Sequence, residues 1–259
     1  MASAPQAQGL PLLYNELVPL SKVEHGDWTF RQMATLPGLD TSHAVPVTVE
    51  EFPLVQRHYP IVFSTGPDPV PLALMGLNEG VNVFINSEGK FDPPNVYVPA
   101  YLRRYPFMLA RLRPDAEELS LCFDPSCDAF GKFEDGSPLF EDGEPTKAVT
   151  DALAFCEQFE MSVQRTQQFV NDLKETGLLE EGEVSIQAEG IAHPYVYRGF
   201  QMVNEEKLRE MRGDHLRKMN QNGMLLLLHA HLFSLTLVTD LFNRQIQQGK
   251  VPPQDITVN

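Results

Sequence analysis

The residue types best suited to recognition fall in a segment that the chain writes twice. PLVQRHYPIVF at residues 53–63 and PAYLRRYPFML at 99–109 each run Pro, six residues, Pro, then three apolar residues. Pro53, Arg57, Tyr59 and Pro60 match Pro99, Arg103, Tyr105 and Pro106, and Arg104 stands where the first copy has His58. A guanidinium presents two parallel donors to a carboxylate or phosphate, and a tyrosine hydroxyl can bond at the same edge. Arg57, Arg103, Arg104 and Tyr105 are therefore candidate ligand- or partner-binding residues, joined by His25 from the turn His25-Gly26-Asp27. A structural role competes at each position. The arginines can pair with nearby acids or cap helix carbonyls while their stems cover apolar surface, and a turn histidine commonly bonds its neighbours.

Other chemistry finds little support. There is no nucleophile elbow, phosphate loop, HExxH or dinucleotide fingerprint, so no catalytic residue and no cofactor is assigned. GLNEGVN has glycines four apart, which is hairpin chemistry. Cys122 and Cys127 have no second close pair of ligands, and with Cys156 they make an odd count, so neither a metal site nor a disulfide framework is expected. Two FEDG units, at 133–136 and 140–143, lack the alternating oxygens and closing Glu of a calcium loop. His229 and His231 lie about 200° apart around a helix and cannot share one metal.

These residues need elements to hold them. Pro53 suits a first helical turn, and Tyr59 before Pro60 is pushed into extended backbone, so the joint reads as a short helix ending in a strand, IVFS. Thr48 and Glu51 also fit a capping box, but a helix starting there would put Pro53 at its fifth position and lose a hydrogen bond, so the turn is expected to start closer to Pro53. Residues 70–77 and 81–85 are expected to pair as a hairpin around Gly80, and PFMLARL to pair with 120–124. Val149, Leu153, Cys156, Phe159, Val163, Thr166, Val170 and Leu173 form one helical stripe that Gly177 can end. Strands are expected at 183–188 and 194–204, then helices capped by Asn204 and Asp214, then an apolar helix from Gly223. The sum is an α+β fold, mainly antiparallel. It divides into an arm (1–20), a β-rich part (21–123), an acidic turn-rich linker (124–148) and a helical part with a hairpin (149–259).

Composition narrows the partners. A net charge of −15 repels phosphate backbones and anionic lipid, so nucleic acid is not expected. Residues 223–239 lack Asp, Glu, Lys and Arg but are short for a bilayer and contain two histidines, so a buried helix is expected and not a membrane span. The opening residues carry no basic n-region, which points to a cytoplasmic protein without a cleaved signal.

HGD at 25–27, EFPLVQRHYPIVF at 51–63, PLALMGLNEGVNVFI at 71–85, YVPAYLRRYPFML at 97–109, LFEDGEPT at 139–146 and GFQMVNEEKL at 199–208 together resemble the bacterial SapC-like family. That resemblance implies, by name, an association with surface-layer proteins, and gene neighbourhoods shared with halogenase-like and hydroxylase-like proteins. It supplies no catalytic residues. Two readings follow: a non-enzymatic binding or assembly component with a protein partner or small anionic ligand, or an enzyme or enzyme accessory acting on a small anionic or peptidyl substrate. The second requires His25, Arg103, Arg104 and Tyr105 to converge on one pocket.

Overall fold

A computed structural model describes residues 10–113, 118–187 and 193–251. Its largest sheet is antiparallel and five-stranded, ordered Leu179–Glu181, Phe200–Val203, Ile61–Ser64, Pro71–Leu74, Ala44–Pro46. A three-stranded sheet joins Val18–Pro19, Ser120–Phe123 and Phe107–Ala110, and a second joins Phe130–Gly131, Thr29–Phe30 and Ser137–Pro138. The α+β class holds.

Both copies of the joint fold as their prolines dictate. In the first, a 3-10 turn at Val49–Glu51 runs into the helix Phe52–Val55 with Pro53 in its first turn, and the strand Ile61–Ser64 follows. In the second, the helix Ala100–Arg104 ends at Tyr105, whose φ of −58° and ψ of 135° are extended, and Phe107–Ala110 follows. The strand Phe107–Ala110 pairs with Ser120–Phe123 as expected.

The long helix runs from Lys147 to Thr176 and ends on Gly177, which adopts φ +67°. It serves two cores. Val149 and Cys156 near its start pack with Tyr105, Phe107, Phe123 and Leu139. Phe159, Phe169, Val170 and Leu173 pack with the five-stranded sheet, together with Tyr101 and Leu102. The second joint therefore steps from one core to the other between Leu102 and Tyr105.

Four expectations need correction. Pro71–Leu74 does not form a hairpin with 81–85; it pairs with Ile61–Ser64 and Ala44–Pro46, while Val83 N–H reaches back to Met75 O at 2.9 Å and the Asn82 amide to Met75 Sδ at 3.4 Å. The same amide, fully buried, also donates to Leu39 O at 2.8 Å and Ser42 O at 3.2 Å, which ties its segment to the turn at Leu39–Thr41. The expected strand 194–204 breaks at Gly199 (φ +93°): Tyr195–Tyr197 pairs with Val184–Ile186, while Phe200–Val203 joins the large sheet. Position 188 of the first of those strands lies outside the described residues. Asn204 caps its helix by accepting from Lys207 N–H at 2.7 Å, but Asp214 sits inside the first turn of a helix that begins at Gly213. The C-terminal helix is two, Met224–Ser234 and Leu237–Gln247.

The segment 124–148, read from sequence as a solvated linker, contains four short strands and buries Phe130 and Leu139. Apolar residues spaced among its turns are enough to dock it on Thr29–Phe30. Met224–Gln247 is, by length and composition, apolar enough to cross a membrane, with a mean hydropathy of 1.7 over 18 of its residues. Its inner face carries His231, Ser234 and Gln245, all fully buried and hydrogen-bonded within the protein.

Candidate functional site

The turn and the two joints meet at Glu51. Its buried carboxylate accepts from the Thr48 N–H and hydroxyl through Oε2, at 3.0 and 2.9 Å, which is the acid half of the capping box. Through Oε1 it accepts from the Tyr97 hydroxyl at 3.0 Å and from Ala100 N–H at 2.6 Å, the first residue of the second joint's helix. One side chain thus caps two turns that are distant in sequence.

Beside it lies a cleft of about 460 Å³ between the joint and the long helix, lined by Glu50, Glu51, Arg103, Phe155, Ser162 and Arg165 among others. Glu50 accepts from the Ser162 hydroxyl at 2.6 Å and pairs with Arg165. The Ser162 hydrogen bond, followed by Arg165, holds its carboxyl below the usual range. Arg103 is different. Its Nε donates to Val98 O and its Nη2 to the Tyr97 hydroxyl, both at 3.1 Å, and its guanidinium carbon sits 5.3 Å from the centre of the Phe155 ring. Its two bonded partners are neutral and it makes no ion pair among the described residues, although the Glu50 and Glu51 carboxylates line the same cleft. Burial first, then the adjacent Glu51, raises Tyr97 to about 12, so its hydroxyl stays protonated and can donate to Glu51.

Arg104 points the other way. Its side chain is 1% exposed and lies 3.5 Å from Glu160 at the seam between the two cores. The guanidinium faces the rings of Phe159 at 4.4 Å, Tyr101 at 5.0 Å and Tyr14 at 5.7 Å. Burial raises the Tyr14 hydroxyl far above its usual range, and raises the Cys156 thiol beside it to about 12. Tyr105 is also buried; its hydroxyl is 3.4 Å from the Asp124 carboxylate, which also accepts from Asn15 N–H and Ser126 N–H.

Of the five sequence-chosen residues, three that are consecutive in the chain line one hollow and the other two do not join them. Arg103, Arg104 and Tyr105 share a second, smaller hollow of about 230 Å³. His25 lines neither hollow: it is buried against Trp28 and Phe123, and its Nδ1 accepts from Ser21 N–H at 3.1 Å. Arg57 is exposed on the first joint and lines neither hollow. Of the four residues the enzyme reading requires, His25 is thus absent from the hollow lined by Arg103, Arg104 and Tyr105. Sequence reasoning missed Glu50, Glu51, Tyr97, Phe155 and Arg165 as parts of the cleft. The Thr48-Glu51 box was the one signal available; which helix face meets the joint has no local signature. Among the described residues, no group of three or more His, Cys, Asp or Glu is placed to hold a metal ion.

The fold and the site define an α+β scaffold in which a repeated helix-to-strand joint holds an arginine open over a long helix. The chain belongs to the SapC family, whose model matches residues 20–241. No curated protein and no solved structure matches it.

Proposed function

We propose that this SapC-family protein is a non-enzymatic binding or assembly component that captures a carboxylate of its partner on Arg103. The observation carrying this reading is the Arg103 guanidinium, held by two neutral acceptors and supported by Phe155, in a cleft where the neighbouring arginine is already paired with Glu50. The Phe155 ring and the bonds to Val98 O and the Tyr97 hydroxyl hold the fork before a ligand arrives, which lowers the ordering cost of binding. The family's name favours a surface-layer or envelope system as the setting. We read Met224–Gln247 as core and not as a membrane span, on the strength of its buried polar side chains.

The test is a titration of arginine-labelled protein with N-acetylglutamate, followed by the Nε–H resonances. Arg103 shifts saturably and Arg57, exposed on the matching position of the first joint, does not. Equal shifts at both, or none at Arg103, would overturn the reading.

A further inference from the structure

A third opening lies further along the same helix. It is an apolar hollow of about 210 Å³ walled by Pro46, Pro69, Val70 and Val163 over Tyr101 and Phe159. Val70 at its mouth is 43% exposed, large for a branched apolar side chain. The hollow and the Arg103 cleft share Thr48 and Phe159, both buried, as common floor.

Resting on the reading of Arg103 above, we infer that the occupant is an extended segment of a partner protein carrying an acidic residue for Arg103 and a branched or aromatic apolar residue for the hollow beside Val70. Charge and spacing both support this occupant. The long-helix residues lining the cleft run from Phe155 to Arg165 and those lining the hollow from Phe159 to Val170, an offset of roughly five residues or about 7.5 Å along the helix axis. An extended segment advances about 3.3 Å per residue and turns alternate side chains to one face, so the acidic and apolar residues stand about two positions apart. The acid supplies the counter-charge that Arg103 lacks among the described residues, while the apolar residue removes the Val70 surface from water. Neither contact needs movement of the Val49 N–H to Thr166 hydroxyl bond, 3.0 Å, that ties the turn to the helix at the floor.

The full chain, immobilised, is used to select from a random peptide display library, and an enriched peptide is measured by fluorescence anisotropy against the wild type, Arg103→Ala and Val70→Asp. Both side chains are exposed, and circular dichroism melts verify that both variants fold. The expected consensus pairs Asp or Glu with an apolar residue at that spacing, and each substitution weakens binding about tenfold, roughly 1.4 kcal/mol. Selection of acidic peptides without an apolar partner, sensitive to Arg103→Ala but not to Val70→Asp, sinks this inference and leaves the carboxylate reading standing. Peptides indifferent to Arg103→Ala sink both, as does a failure to enrich any peptide.

Discussion

At the scale of single residues, the two carboxylates nearest the joint do structural work that can be separated from binding. Glu51 accepts four hydrogen bonds while buried, two of them from backbone N–H groups at the starts of turns. Glu51→Ala strands those donors, and the expected loss is roughly 3 kcal/mol in urea unfolding; Glu51→Gln, which keeps one acceptor oxygen, loses less. Arg104 and Glu160 form the other case. Glu160→Gln leaves a guanidinium buried without its counter-charge, at roughly 3–5 kcal/mol, whereas Arg104→Met combined with Glu160→Leu recovers most of that loss. A double-mutant cycle by chemical denaturation checks this, and additive losses would contradict it.

At the scale of elements, one helix repairs a gap in the sheet. The strands Ile61–Ser64 and Phe200–Val203 pair at Phe63 and Ser64 and then diverge. The His231 ring enters the gap, accepting from Val203 N–H at 3.1 Å and donating from Nδ1 to Ile61 O at 2.8 Å, so it must be neutral. Burial lowers its pKa from 6.5 to about 4. A depressed histidine adds stability that is complete above the unfolded value and is lost as pH falls. Between pH 6.5 and 4 the unfolded chain binds the proton more tightly, and about 3 kcal/mol disappears. Urea midpoints of the wild type against His231→Asn measure this: the variant is less stable at pH 7 and shows a shallower loss toward pH 4. Helix ends give a second check. Gly177→Ala forces φ +67° on a residue with a Cβ and costs about 1 kcal/mol, while Gly213→Ala, with open space and no positive φ, is neutral or slightly stabilising.

At the scale of the whole molecule, the long helix is the spine that joins two cores, and the second joint crosses between them where Arg104 meets Glu160. All three thiols lie in this interior; burial raises Cys122 to about 11 and Cys156 to about 12. In the folded protein they are thus both protonated and screened. Labelling with a thiol reagent at pH 8 should proceed at the rate of global unfolding, with one rate for all three; a fast-reacting thiol under native conditions would contradict this.

What the sequence determined by itself was local and periodic. Proline geometry gave both joints, the three-to-four residue stripe gave the long helix, Gly177 gave its end and Asn204 its cap, because each of these is decided by a residue's own backbone or its near neighbours. The chain order of family features was legible for the same reason, as a string. Tertiary structure decided the pairing of Pro71–Leu74 with distant strands, the docking of 124–148, and the split of 194–204 between two sheets. It also decided the fates of five candidate residues whose types looked alike: Arg103 open, Arg104 sealed, Tyr105 buried on Asp124, His25 packed in aromatics, Arg57 in solvent. Two arginines adjacent on one short helix point in directions about 100° apart, and only what packs against each direction determines which of them remains available to a partner.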